Sequence, residues 1–568
     1  MRIYYHATLA FLLSGSLLSQ STIRVPSDFE SIQLALDEAS AGDTILVAPG
    51  IYTELINWPV GKNLNLISEA GSEETILDGG GQGPIVGIET LPDESLFQGF
   101  TLQNGFTSSI NVSALRIENT KIDLIDLIIR DNISEGSSLG SGAYLTGYDG
   151  RIESCQFLNN ENSSNLINSS TGLLVDPIND IEITSCTFSD NQSMGTTIKS
   201  GGGLYILGSH SNAFPLVVFI KDCSFINNTA EGDVTTGGGG AIYALSRPSS
   251  LSLRLESCNF CNNRAISGAS ICLEGDVEST ITNSHFSENK ANVGDVLYMN
   301  GLFVLSGGVT RSNFISNSKI YGNGDNSMTN STLFDGIEPG SLNMFNCEVR
   351  NNSSRPLGTF FQFIMSTYNV QNCTFAFNEG PIDLDETRLI ISESIFWDKD
   401  PIEIKLESTS LLEISNSIIN GAYSGVNVIN TNPRFVSDED LTLTPDSPAI
   451  NAGTPSISIT TDLLGNPRPL PAGTNPDLGC YEFNQEITSN TSDSNILEEI
   501  NIFPNPTSDK INFSEMIDEI QIYNSAGREV KSVVQTSSVS TKDLPAGMYT
   551  IRLTLKGQST TESISIIK

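Results

Sequence analysis

Residues 183–191 read ITSCTFSDN and residues 220–228 read IKDCSFINN. Both place an apolar residue, then Cys three positions on, Phe two after that, and Asn five after the Cys. The phrase also occurs as Ile152, Cys155, Phe157, Asn160 and as Leu255, Cys258, Phe260, Asn263, with Ser for Cys in Ile281, Ser284, Phe286, Asn289 and in Val309, Ser312, Phe314, Asn317. Further copies are Met344, Cys347, Val349, Asn352 and Val370, Cys373, Phe375, Asn378, with weaker ones at Ile391, Ser394, Phe396, at Ile414, Ser417, Ile419, and at Leu124, Leu127, Ile129, Asn132. Copies recur every roughly 21 to 37 residues, the range of stacked solenoid coils.

The spacing fits neither a helix face nor an unbroken strand. It fits a strand, a short bend, and a second strand whose alternate residues point inward. The bend position before the Cys holds Ser154, Ser185, Asp222, Ser257, Asn283, Asn346, Asn372 and Asn416, types that tolerate left-handed backbone. The terminal Asn of each phrase is expected at the next corner, stacked into an Asn ladder. Gly-rich runs between copies (Gly142, Ala143, Tyr144; Gly203, Leu204, Tyr205; Gly240, Ala241, Ile242, Tyr243; Gly294, Val296, Leu297, Tyr298) introduce a further strand, which makes three short strands per coil. None is followed by the Lys and Ser/Thr of a phosphate-binding loop.

Composition agrees. Charged residues are 17% and hydrophobic residues 38%, so the surface is built from Ser, Thr, Asn and Gly, which suits turned β-structure. The net charge of −37 repels phosphate backbones, so no nucleic-acid partner is expected. Nine cysteines are an odd number, and six share one repeat position with Ser as its substitute, so a buried column of free thiols is expected rather than a disulfide framework. The CxxC at Cys258 and Cys261 stands alone and does not make a zinc site.

Residues 1–19 have the layout of a signal peptide, with Arg2 before an apolar run from Ala7 to Leu18, and no transmembrane segment is expected beyond it. Residues 20–483 are the repeat domain, 484–495 a polar linker, and 496–568 a small β-sandwich of short alternating strands.

The repeats resemble the right-handed parallel β-helix of the pectin-lyase-like superfamily and the GGAI/FxxN repeats of polymorphic outer-membrane proteins. A start at Pro26, Ser27, Asp28, Phe29 and Glu30, with Ile32, Leu36 and Ala39 on one apolar face, supplies a capping helix. The stretch from Leu441 to Glu482 resembles the closing segment of bacterial β-helix proteins.

The last domain resembles the type A sorting domain of the type IX secretion system of Bacteroidetes. Its motifs occur in order at Pro504, Asn505 and Pro506, at Gly527 and Arg528, and at Gly547 and Tyr549 with Lys568. The resemblance implies passage through the periplasm, recognition by the secretion machinery, removal by a sortase, and release or lipopolysaccharide anchoring at the outer surface.

Superfamily kinship implies lyase, hydrolase or esterase chemistry on acidic polysaccharides, but no residue set selects it. Besides His6 of the leader, His210 lies in a Ser/Asn loop and His285 faces solvent beside inward Phe286, neither with an evident partner. The carboxylate pairs Asp176/Asp180 and Asp383/Asp385 are unremarkable among 66 acidic residues, and Arg254, Arg264, Lys290 and Arg311 share no spacing. The runs Asp78–Gly83 and Gly322, Asn323, Gly324, Asp325, Asn326 offer oxygens to Ca2+ but lack a recognised loop spacing. No cofactor is required by this reading, and catalytic and metal residues stay unassigned. The expected function is non-catalytic binding of glycans or surface partners by an exported β-helix; the alternative is a polysaccharide lyase or glycoside hydrolase.

Overall fold

The computed structural model describes residues 20–164, 171–194, 201–210, 215–230, 238–300, 311–324, 332–336, 340–353, 366–407, 409–456, 459–484, 502–503, 507, 510–524, 528–555 and 558–566. The signal-peptide stretch and most of the linker lie outside these. Among the described residues, thirty-five strands hydrogen-bond in parallel around the coil, and seven more stack in a separate parallel sheet. The fold is a parallel β-helix.

One coil shows the plan. The strand Ala143–Asp149 begins the first sheet and continues through Arg151–Glu153; Gln156–Leu158 belongs to the second sheet, and Glu161–Ser164 to the separate third. In other coils the first two segments are one strand, as in Leu115–Ile125, Ile242–Glu256 and Ile271–Thr282.

The corner before the second sheet needs left-handed backbone, which Ser, Asp and Asn adopt at lower cost than branched residues. All eight bend residues named from the sequence have it, with φ from 42° at Asn416 to 55° at Ser154. A second left-handed corner, unseen in the sequence, precedes the ladder Asn at Asn159, Asp190, Asn227, Asn262, Glu288, Asn351 and Phe377.

Inside, Phe157, Phe188, Phe225, Phe260 and Phe286 stack with ring centroids 4.7 to 4.9 Å apart and planes within 5° of parallel. That separation is the spacing of neighbouring strands, so the parallel register dictates the stacking. The Asn ladder runs from Asn132 through Asn160, Asn191, Asn228, Asn263, Asn289, Asn323 and Asn352 to Asn378, each amide donating to the next carbonyl at 2.9–3.1 Å.

The Cys column is reduced and buried throughout. Its sulfurs also accept: Cys155 N–H donates to Cys186 Sγ at 3.4 Å and Cys186 N–H to Cys223 Sγ at 3.3 Å. Ser takes the same role, accepting from Cys258 N–H at Ser284 and from Cys373 N–H at Ser394. The position exchanges Cys and Ser because it needs a small acceptor for the amide of the preceding coil. Cys258 and Cys261 lie on opposite sides of the wall, since Phe260 between Cys261 and the corner points inward.

Two expectations are corrected. The copy placed at Val309, Ser312, Phe314, Asn317 is displaced by six residues: Ile281 pairs with Ile315, Phe286 with Ile320, and Asn289 bonds to Asn323. Phe314 is instead an exposed outward residue and Asn317 a left-handed corner. The N-terminal helix Ile32–Glu38 is capped by Ser31, not by the Ser27–Glu30 stretch; Ser31 Oγ accepts from Leu34 N–H, while Glu54 takes the amides of Ile32 and Gln33 at 3.0 and 3.1 Å.

The closing segment folds back along the side of the array. Leu443, Ala449 and Leu478 pack on outward Ile395 and Ile418, and Leu441, Cys480 and Tyr481 on Ala376. Tyr481 donates to Glu348, and Cys480 N–H to Thr374 Oγ1 at 3.1 Å.

The described residues from 502 onward form an antiparallel curled sheet. Lys510–Asn524 pairs with Ile502–Phe503, Glu529–Ser540 and Gly547–Leu555, and the last of these with Gln558–Ile566. Its own core includes Ile511, Ile520, Ile551, Leu553 and Ile564.

Candidate functional site on the outer face of the first sheet

Strand alternation sends Leu115, Ile117, Ala143, Leu145, Leu173 and Val175 into the core. The residues between them point outward and stack in register. One outer column is Arg116, Tyr144, Leu174, Tyr205, Tyr243, Cys272 and Tyr298; beside it Glu118, Thr146 and Asp176 form a second.

The first column divides in two. Tyr205 and Tyr243 are buried although they point away from the core, with ring centroids 5.0 Å apart, and Tyr243 Oη donates to Glu274 Oε2 at 2.5 Å. Burial and the Glu274 carboxylate push the Tyr243 phenol well up, so it stays a donor.

The other end is accessible and polar. Arg116 donates through Nε and Nη2 to Glu118 Oε1 at 3.0 and 2.7 Å, with both side chains somewhat over a quarter exposed. Asp176, nearly buried, accepts from Ser209 N–H at 3.1 Å and from Ser209 Oγ at 2.5 Å, and lies 3.4 Å from His210 Nε2. Tyr144 is half-buried between them; burial, then Glu118 and Asp176, raise its phenol, and Arg116 partly offsets this. Because Ser209 gives its hydroxyl to the carboxylate, these three residues do not form a serine–imidazole nucleophile pair.

His210 therefore has a carboxylate neighbour that its loop sequence does not reveal. Asp176 and Asp180 do not act together, as Asp180 accepts instead from Val217 N–H at 2.8 Å. His285 is exposed on the second sheet beside Lys319. Asp383 and Asp385 point outward from one strand, opposite Lys405 and Glu407. Arg254 lies exposed on the first sheet's continuation, whereas Arg264 and Lys290 stack on the third sheet. The Arg311 side chain is outside the description. Asp78 accepts from Gln103, Asn104 and Gly80 N–H at 2.7–3.0 Å; burial opposes its ionisation, but these bonds prevail and lower its pKa. In the second loop Asn323 is a ladder rung, and Asp325 and Asn326 are outside the described residues. Among the described residues no three or more His, Cys, Asp or Glu side chains converge as metal ligands.

Arg116 and Glu118 escaped sequence reasoning. The available signal is the second residue after each glycine run (Tyr144, Leu174, Tyr205), which marks the outward column once strand phase is known.

Of the sorting-motif residues, Pro504, Asn505, Pro506, Gly527 and Lys568 lie outside the described residues. Arg528 is exposed and its N–H donates to Asn524 Oδ1; Gly547 opens a strand, and Tyr549 Oη donates to Pro545 O at 2.9 Å.

Residues 501–568 match the secretion system C-terminal sorting domain. The chain is a parallel β-helix exported by the type IX secretion system. Such a domain directs the β-helix to the cell exterior or outer surface, and among the described residues no helix is long and apolar enough to cross a membrane. No curated protein matches the chain. Among solved structures, pectate lyase Pel9A is similar at 13% identity and TM-score 0.29, covering 82% of this chain and 97% of its own. The tailspike gp49 of Acinetobacter baumannii bacteriophage Fri1, a capsular polysaccharide depolymerase, is similar at 10% identity and TM-score 0.26, covering 97% of this chain and 78% of its own.

Proposed function

We propose that the exported β-helix binds extended glycans on the outer face of its first sheet, at the site formed by Arg116, Glu118, Tyr144, Asp176 and His210. The observation that carries this reading is the accessible end of the outer column. There a half-buried tyrosine ring lies among carboxylates held in fixed orientation by Arg116 and Ser209. An aromatic face and oriented acceptors are what a sugar's C–H and O–H groups require. The sorting positions Pro504–Pro506, Gly527, Arg528, Gly547, Tyr549 and Lys568 serve recognition by the secretion machinery and sortase.

Affinity electrophoresis of the full chain through gels containing a panel of polysaccharides tests the reading. Retardation by at least one polymer is expected, with Tyr144→Ala weakening it about tenfold; unaltered mobility on every polymer overturns it.

A second reading, glycan cleavage, is favoured by one observation. Glu118 and Asp176 share a column with a single rung, Thr146, between them. Two strand spacings make about 9.6 Å, near the wide limit for a carboxylate pair that inverts a glycosidic bond. New reducing ends or unsaturated product in the same incubations select this reading, and their absence selects binding.

A further inference from the structure

We infer that the site on the first sheet selects glycans without carboxylates and discriminates against uronate polymers. This rests on the glycan-binding reading and adds the chemical class of the ligand.

The titratable groups facing the site come from the strands that build it: Arg116 and Glu118 from Leu115–Ile125, Asp176 from Leu173–Pro177, and His210 just beyond Leu204–Gly208. Tyr144, from Ala143–Asp149, senses two of these as negative and one as positive. The positive group is already engaged. Nε and Nη2 of Arg116 both end on Glu118 Oε1, so its planar fork, the arrangement that recognises a carboxylate, faces a carboxylate of the protein itself. His210 Nε2 lies 3.4 Å from Asp176 Oδ2. A uronate entering here must displace Glu118 or stand beside Asp176, and the chain's net charge of −37 adds a long-range penalty. Sugar hydroxyls meet the opposite situation, because carboxylate oxygens are strong acceptors for them. The geometry thus rewards O–H donors and penalises anions.

The test uses the full chain, with a chelator present so that divalent ions do not bridge carboxylates. Binding is measured by isothermal titration to a mannan and a β-glucan, and to polygalacturonate and alginate, at low salt and at near-physiological salt. Neutral polymers are expected to bind at least about tenfold more tightly than uronates, with affinity nearly independent of salt. Glu118→Gln, which removes one carboxylate and releases Arg116, is expected to narrow that ratio by about tenfold. Asp176→Asn should narrow it in the same direction, and a thermal melt of each variant establishes that it is folded. Equal or tighter binding of uronates by the unaltered chain overturns the inference while leaving glycan binding intact. So does an unchanged ratio in both folded variants. Failure of every polymer to bind overturns the underlying reading instead.

Discussion

At the scale of single residues, the repeat works because each recurring side chain answers one backbone demand of stacking. Asn228 is the clearest case. Its carbonyl accepts from the N–H and the side chain of Asn191, while its amide donates to Asn263 Oδ1 and Phe188 O. Asn228→Ala leaves buried donors and an acceptor without partners, so we expect a loss of about 2–4 kcal/mol in denaturant unfolding. A loss below about 0.5 kcal/mol would mean that the ladder does not stabilise the wall. The thiols give a second prediction. Burial pushes those of Cys186, Cys258 and Cys373 well above the ordinary range, and all nine cysteines are buried. A thiol reagent should therefore label the folded chain slowly and release all nine on unfolding; rapid labelling of the folded chain contradicts the buried column.

At the scale of elements, the glycine runs set how closely one coil lies on the next. A Cβ on Gly172 would sit 2.3 Å from Gly203 O, and one on Gly240 would sit 2.4 Å from Ala269 O. These glycines are needed for close backbone approach rather than for a special φ. Gly172→Ala should lower stability by about 1–3 kcal/mol with the coil forced open locally, seen as a lower melting temperature and faster amide exchange in the strand Leu173–Pro177. Unchanged exchange there would show that the contact relaxes without cost. Elements are also where the sequence misled. Val309, Ser312, Phe314 and Asn317 imitate the phrase, while the true copy, Ile315, Ser318, Ile320 and Asn323, lacks both Cys and Phe. Backbone pairing with the coils on either side resolves the two.

At the scale of the whole molecule, the array buries acids near its closing end. Asp398 accepts from Asn378 N–H at 2.7 Å, and burial pushes its carboxyl up to about 7; burial likewise moves Glu482 to about 7, although Arg468 stands 3.1 Å away. A pKa raised in the folded state means that the folded chain holds its proton more tightly than the unfolded chain. The resulting stability is fully present below the unfolded values near 4 and is lost as pH rises through about 7. The melting temperature should accordingly be higher at pH 5 than at pH 8. Asp398→Asn keeps an acceptor for Asn378 and removes the charge, so it should raise stability at pH 8 by on the order of 2–4 kcal/mol and flatten the profile. A variant as pH-sensitive as the parent would place the effect elsewhere.

The sequence by itself determined the solenoid, the left-handed corner before each Cys or Ser, and the Asn and Cys columns, because each rests on local backbone preference or on a pattern repeated at every coil, and it carried the sorting domain as a set of ordered terminal motifs. The candidate site was legible only in fragments: Tyr144, Asp176 and His210 stand in separate coils, and nothing local says that they meet. Tertiary structure decided that. Parallel register turns residues about thirty apart in the chain into neighbours about 4.8 Å apart, and the outward positions that form the site do not repeat.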